Sequence, residues 1–278
     1  HIGPMTNTSS RRLPALFLGH GSPMNAIEDS TERRAWVELG RRLTAPEWRP
    51  RAVLCISAHW ETRGAVHLTS GEAPRTIHDF RGFPPALHAV QYPAPGADWL
   101  VERARVLLGD YPSRADASWG FDHGSWGVVM PMFPAADVPM VQLSLDRSLD
   151  MAGHLALAQR LAPLRDEGVL ILGSGNVVHN LQLFFNPPPA GPGWADPFAR
   201  RILDAVRAGD HAALTRFAAN DALAEQAINS AEHYLPLLYT VGAGLPGDGV
   251  AVFNDAGEPG LAMACVLLGE TALAEGLV

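Results

Sequence analysis

The sequence is poor in cysteine and has no long apolar run. Its 278 residues include only two cysteines, Cys55 and Cys265, and both lie inside short apolar stretches. Cysteines in such settings predict buried free thiols rather than a disulfide, as expected of a protein in a reducing cytoplasm. No apolar stretch approaches the ~20 residues that span a bilayer, and the start of the chain lacks the apolar core of a signal peptide. We therefore expect a cytoplasmic protein without a membrane partner.

Positive charge is also scarce. The chain carries 21 basic and 29 acidic residues, which gives a formal net charge of −8 at pH 7. An acidic surface repels polyanions, and no run of basic residues offsets this repulsion. Nucleic acid is therefore excluded as an expected partner, while the oligomeric state is left open.

Apolar runs alternate with helical patterns along the whole chain. The runs at 15–18, 52–58 and 168–173 predict buried strands, and the pattern over 148–164 predicts a helix. This alternation predicts an α/β fold with a central mixed β-sheet flanked by helices. We find no internal repeat and no linker, so residues 5–278 are expected to form a single domain. The four residues before Met5 are expected to be a remnant of expression cloning.

Three of the predicted strands lead to a histidine. His20 follows the first run and stands between two glycines, and His59 ends the second run. His179 comes shortly after the Gly-Ser-Gly turn that ends the third, in what we predict to be the first turns of a helix. Ligands bind at the carboxyl ends of strands in open α/β sheets. The pattern therefore indicates a metal site or an acid–base site at one rim of the sheet.

Two further histidines have a similarly polar or glycine-rich setting. His123 lies in an aromatic, glycine-rich stretch predicted to be a loop over 118–127, and His233 lies beside Glu232 in a helix predicted over 231–239. No His-Glu-x-x-His or Cys-x-x-Cys motif links these histidines, so a site would be assembled from distant segments. His67, His154 and His211 lack such a setting and are interpreted as structural. His78 and His88 lie in a long proline-rich loop over 70–96, which we interpret as a pocket wall.

The residue chemistry leaves several kinds of site open. Neutral imidazoles suit iron, zinc, copper and nickel, and two histidines with a carboxylate are typical of non-haem Fe(II) enzymes. Glu232 and His233 are neighbours, so either one could complete such a set. Ser22 and Ser174 are weak candidates for a nucleophile because neither lies in a Gly-x-Ser-x-Gly motif. A zinc-dependent hydrolase and a non-catalytic metal- or ligand-binding protein therefore remain alternatives.

Five short motifs follow one another along the chain. They are His-Gly-Ser-Pro at 20–23, Ser-Ala-His-Trp at 57–60, Gly-Phe-Asp-His-Gly at 120–124, Gly-Ser-Gly-Asn-x-x-His-Asn at 173–180 and Glu-His-Tyr-Leu-Pro at 232–236. In this order they resemble the class III extradiol ring-cleavage dioxygenases, and within that family the 4,5-DOPA dioxygenase-like branch. The resemblance runs from about residue 13 to residue 270.

The resemblance implies a single catalytic α/β domain that holds one non-haem Fe(II), with Zn(II) bound instead in some members. By motif, His20 and His59 are implied as metal ligands. The third ligand of better-known relatives is a glutamate, but this branch favours the histidine, which is His233 here. His179 is implied as the acid–base residue, or as a fourth ligand when zinc is bound. His123 is implied as a substrate-binding acid–base residue or as support for the ligands.

The activity that the resemblance implies is cleavage of a catechol ring beside the diol. The expected partners are a small DOPA-like catechol and dioxygen. A metal ion lowers the free-energy cost of the catecholate, and a histidine near neutral pKa can take up a proton and later return it.

Overall fold

Eight strands hydrogen-bond into one mixed sheet at the centre of the computed structural model, which describes residues 11–191 and 194–278. The order across the sheet is β4-β3-β5-β2-β6-β1-β10-β7, and β8 and β9 form a separate pair. The strands are β1 Ala15–Gly19, β2 Ala52–Thr62, β3 Val66–Thr69, β4 Ser113–Asp116, β5 Met140–Asp146, β6 Val169–Gly175, β7 Gly249–Phe253, β8 Gly257–Glu258, β9 Leu261–Ala262 and β10 Cys265–Gly269. The expected cloning remnant lies outside the described residues.

Helices cover both faces of this sheet. They are α1 Thr31–Leu43, α2 Pro85–His88, α3 Asp98–Leu108, α4 His123–Met132, α5 Met151–Leu161, α6 Leu181–Phe185, α7 Pro197–Ala208, α8 His211–Thr215, α9 Ala222–Ala227 and α10 Leu235–Gly242. Short 3₁₀ turns occupy Pro23–Ala26, Ala162–Glu167 and Thr271–Ala274. The predicted α/β fold with a mixed sheet flanked by helices is confirmed.

The central strands read as unbroken apolar runs because both of their faces are buried. In β1, Phe17 packs into the core beneath α3, α5, α7 and α10, whereas Leu16 and Leu18 pack on the opposite side against α1 and α4. The same alternation holds in β2, where Leu54 and Cys55 contribute to opposite cores. Side chains alternate across a strand, so a strand covered on both faces loses its polar positions. Both cysteines are buried free thiols, as predicted.

The directions of three strands place the predicted histidines at one edge. β1 and β2 both run parallel to β6, which lies between them. The carboxyl ends of all three strands therefore face the same side of the sheet, and the segments that follow them meet there.

Several element boundaries differ from the prediction, and four of them affect the site. β2 continues past Ala58 to Thr62, through a shift in its register with β5 between Ile56 and Glu61. His123 is the first residue of α4 rather than part of a loop. His179 precedes α6 instead of lying in its first turns, and the predicted helix over 231–239 begins only at Leu235.

Among the described residues, no helix is both long and apolar enough to cross a membrane.

Candidate metal centre

His20 extends β1 by one residue and is held on two sides by β6. Its backbone N–H donates to the carbonyl of Gly175 at 2.9 Å, and its Nδ1 lies 2.9 Å from the hydroxyl of Ser174. The residue is only 6% exposed. When Nδ1 donates to Ser174, Nε2 keeps its lone pair and is free to bind a metal.

His59 owes its direction to the irregular segment of β2. The register shift between Ile56 and Glu61 interrupts regular pairing with β5, as bulges beside functional sites commonly do. The backbone N–H of His59 donates to the Ser57 hydroxyl at 3.1 Å. Its Nε2 comes within 3.4 Å of Nε2 of His20. The prediction that a strand delivers this histidine to the rim agrees with its position here.

His233 reaches the same place from the opposite side of β6. The backbone N–H of Asn176 donates to the His233 carbonyl at 2.8 Å. Gly175 permits this approach, because an added Cβ at that position would collide with the same carbonyl oxygen. His233 Nδ1 lies 3.2 Å from the Glu232 carboxylate, and a neutral ring that donates to this oxygen keeps its lone pair on Nε2.

His20, His59 and His233 offer ligand nitrogens that all lie within 4.8 Å of one another. Two nitrogens that each bind one ion at 2.0–2.1 Å with tetrahedral angles lie about 3.4 Å apart. That is the observed separation of the His20 and His59 nitrogens. The donor set and its spacing therefore fit a single metal ion of the kind that imidazoles prefer.

The surroundings keep two of these imidazoles neutral, which is the form that binds metals. Burial lowers the pKa of His20 well below its ordinary value, and the nearby histidines His233, His123 and His179 lower it further. Burial also lowers the pKa of His59, with His123 as the next contribution. A buried histidine cluster of this kind resists protonation and keeps its lone pairs available to a metal ion.

His179 lies flat against His233. The two ring centroids are 3.5 Å apart, and the planes differ by 1°. The His179 backbone N–H donates to the Ala227 carbonyl, and the residue also bridges to Leu261 of β9. The ring is half-buried, and burial followed by the charge of His233 lowers the pKa of His179 to about 4.

His123 stands on the other side of the cluster. Its ring centroid lies 4.0 Å from that of His59, and its side chain is buried. Helix α4 begins here because the Asp122 carboxylate caps it, accepting from the N–H of Gly124 at 3.0 Å and of Ser125 at 3.3 Å. Asp122 also accepts from the Ser57 hydroxyl at 2.7 Å, which ties the helix start to the strand that carries His59.

Two carboxylates flank the histidines. Glu232 forms a group with His179 and His233, and Asp79 forms one with His59 and His123. The hydrogen bond from His233 lowers the pKa of Glu232 to about 2, so this carboxylate is ionised. The two groups overlap the His20–His59–His233 cluster, and together they make one continuous polar site.

The remaining histidines take other places. His67 pairs with Asp116 at 2.8 Å, and buried His154 contacts the Tyr239 hydroxyl at 2.9 Å, in keeping with structural roles. His78 donates to the Val90 carbonyl and supports the 70–96 loop. Sequence reasoning missed Asp79 and Ser174 as partners of the site. Their only signal was their position, in a long loop and in a Gly-Ser-Gly turn.

Comparison with known proteins assigns the family. Residues 14–255 match the model of the catalytic LigB subunit of aromatic ring-opening dioxygenase. The 4,5-DOPA dioxygenase extradiol of Escherichia coli K12 is 46% identical over 243 residues, which cover 84% of this chain and 86% of the relative. The Beta vulgaris protein of the same name is 38% identical over 234 residues, which cover 82% of this chain and 85% of the relative.

A solved structure agrees with these sequence matches. The crystal structure of an uncharacterized Escherichia coli K12 protein superposes with a TM-score of 0.75 at 39% identity. The match covers 93% of this chain and 100% of that one. The chain therefore belongs to the LigB family of aromatic ring-opening dioxygenases, and it is an extradiol ring-cleaving dioxygenase of the class III branch.

Proposed function

We propose that this enzyme cleaves the ring of a DOPA-like catechol with dioxygen, using one Fe(II) held by His20, His59 and His233. The observation that carries the proposal is the meeting of three histidines, two buried and one half-buried, beside the carboxyl ends of the parallel strands β1, β2 and β6. Relatives at 46%, 38% and 34% identity are named 4,5-DOPA dioxygenase extradiol, which supports the choice of substrate.

The contacts of His233 favour it over Glu232 as the third ligand. His233 forms a ligand group with His20 and His59, whereas the Glu232 carboxylate accepts from His233 Nδ1 and from the Ser230 hydroxyl. A carboxylate on the outer nitrogen of a ligating histidine orients the ring and raises its basicity. Glu232 is accordingly proposed to act through His233.

The neighbouring side chains supply the proton chemistry. When bound, the metal ion would supply positive charge that stabilises a deprotonated catechol and a path for electrons towards dioxygen. His179 stands beside His233 and is proposed to take a proton from a catechol hydroxyl and to return it to the opened product. With zinc bound, the same ring is proposed as a fourth ligand. His123, beside His59, is proposed to hold a substrate oxygen.

We propose that the substrate enters through a cleft beside the segment that follows His20. The cleft has a volume of about 360 Å³, and Ser22, Asn25, Phe184 and Met263 are among the residues that line it. Asn25 also donates to the His20 carbonyl at 3.3 Å.

The buried free thiols Cys55 and Cys265 fit a reducing compartment, and we propose that the enzyme lies in the cytoplasm.

Oxygen consumption tests the proposed reaction. Protein loaded anaerobically with Fe(II) is mixed with L-DOPA or with simpler catechols in a closed oxygen-electrode cell. We expect one dioxygen consumed per catechol and the appearance of a yellow ring-opened product. Absence of uptake while iron is bound, together with hydrolysis of ester or amide substrates by the zinc form, would support a hydrolase instead. Metal binding without either reaction would indicate a binding protein.

Ligand variants test the proposed metal site. His20→Ala and His59→Ala should each lose both bound metal and oxygen uptake, because two imidazoles hold a metal far more weakly than three. His67→Ala is the matched control, since His67 is paired with Asp116 on β3 and β4. Full metal content in both site variants would contradict the ligand assignment.

A further inference from the structure

The 70–96 loop brings a carboxylate to the side of the cluster away from Glu232. Asp79 Oδ1 accepts the backbone N–H of His123 at 2.8 Å, and His123 Nδ1 lies 2.9 Å from the same oxygen. Asp79 Oδ2 lies 3.8 Å from Nδ1 of His59. One carboxylate thus faces the outer nitrogen of two histidines of the site.

The outer nitrogens of the three proposed ligands follow a single pattern. Nδ1 of His20 faces the Ser174 hydroxyl, and Nδ1 of His233 faces the Glu232 carboxylate. Nδ1 of His59 faces the Asp79 carboxylate, and Nε2 of His59 points towards His20. A ligating histidine almost always has such a partner, which sets the tautomer and the ring orientation. The 3.8 Å distance exceeds a hydrogen bond, and contacts of this kind often tighten only in the loaded enzyme.

His123 Nδ1 is buried and has no aligned hydrogen-bond partner, although Asp79 is close. The Asp79 side chain is only 18% exposed, so water has limited access to hydrogen-bond its carboxylate. The carboxylate therefore has a nitrogen on each side and a backbone N–H that anchors it at the start of α4. The long 70–96 loop thereby has a functional role, because it carries the Asp79 carboxylate to the site.

We propose that Asp79 is a positioning residue shared by the two histidines, holding His59 towards the metal and His123 towards the substrate. This inference rests on the proposed function for the role of His123, but its effect on metal affinity can be measured without turnover.

Metal affinity is the first test. Apoprotein is titrated with Zn(II) in competition with a chromophoric chelator. Asp79→Asn keeps an oxygen for the His123 N–H and removes the charge, and we expect zinc to bind about 10- to 100-fold more weakly. Asp79→Glu retains the charge and should lose less. Asp116→Asn is the matched control, because Asp116 pairs with His67 in the same manner away from the cluster.

Equal zinc affinity of Asp79→Asn and the wild type, or an equal loss in Asp116→Asn, would overturn the proposal. Thermal unfolding of the apoproteins identifies a variant that does not fold. If Asp79→Asn is such a variant, Asp79→Ser, which also removes the charge, takes its place, and wild-type zinc affinity in that protein would overturn the proposal. A wild type that binds zinc but cleaves no catechol when loaded with Fe(II) would contradict the proposed function while leaving this comparison valid.

Turnover at saturating metal tests whether Asp79 positions His123 as well as His59. We expect His123→Asn to lose turnover without losing zinc affinity, and Asp79→Asn to lose both. If Asp79 acts on turnover through His123, the double variant should be no slower than His123→Asn, because residues that act as a unit are not additive. Wild-type kcat in metal-saturated Asp79→Asn, or losses that simply multiply, would overturn the shared role.

Discussion

His179 and His233 lie face to face, yet only one of them groups with His20 and His59. His233 is proposed to bind the metal, and His179 is proposed to transfer the proton. His179→Gln should therefore keep its iron and lose turnover by about 10²- to 10⁴-fold, the usual contribution of a general acid–base residue. Iron content by elemental analysis and oxygen uptake, measured on one preparation, check this expectation. Iron lost in parallel with turnover would instead make His179 a ligand in the iron enzyme.

Single residues also show what sequence could reveal about the site. The five histidines of the cluster stood out because each lies near Gly, Ser, Asn, Trp or Glu at the end of a predicted element or in a tight loop. The residues that contact these histidines did not stand out in the sequence. Ser174 lies 154 positions from His20, and Asp79 lies 44 positions from His123, so only the folded chain brings them together. A hydrogen bond between distant segments leaves no local pattern to read.

Helix α4 contains two glycines whose surroundings are opposite. A Cβ at Gly124 would collide with the Ser57 hydroxyl and come within 2.8 Å of the His59 ring, whereas a Cβ at buried Gly127 would meet nothing within 4 Å. The space at Gly127 belongs to a small niche that also touches His20 and His123. The methyl group of an alanine at position 127 would therefore extend into this niche.

The two glycines should therefore respond differently to alanine. Gly127→Ala is expected to raise the free energy of unfolding by about 0.5–1 kcal/mol, because alanine is the better helix former, and to lower kcat/KM by narrowing the niche. Gly124→Ala should lower the free energy of unfolding. Urea denaturation and oxygen-uptake kinetics measure both effects. A Gly127→Ala protein that is stabilised and fully active would show that the niche has no part in the reaction.

Elements were predictable where a buried face repeats, and not where it is absent. The central strands β1, β2 and β6 were recognised from their apolar residues. The edge strand β4 was missed, because its residues are half-buried or exposed and show no apolar pattern. The start of α5 was placed at Ser148, but the structure caps it with Asp150, whose side chain accepts from Gly153. Several nearby polar residues can cap a helix, and packing decides among them.

At the scale of the molecule, the order of the strands determines whether the site exists. The sequence predicts a mixed sheet but not that β6 lies between β1 and β2, because strand order depends on contacts between distant segments. This order brings the ends that carry His20 and His59 to either side of Gly175, where His233 arrives. The proposed metal site is thus a property of the whole sheet rather than of any one motif.

Stability of the whole molecule should fall in mild acid because histidines are buried in their neutral form. His154 is fully buried on α5, and burial lowers its pKa to about 4. The unfolded chain binds this proton below about pH 6.5, whereas the folded protein binds it only near pH 4. The unfolded state therefore binds more protons within this window, and the free energy of unfolding decreases as the pH falls from 6.5 towards 4.

Replacing His154 should remove part of this pH dependence. From pH 7 to pH 5, titration of His154 is expected to lower the free energy of unfolding of the wild type by about 2 kcal/mol. The His154→Gln protein should not show this part of the decrease. Urea denaturation of both proteins at the two pH values, with a chelator present throughout, measures the difference without a contribution from metal release. Equal losses in the two proteins would show that His154 titrates normally in the fold. The acid sensitivity would then belong to other groups, with the buried histidines of the metal centre the first to test.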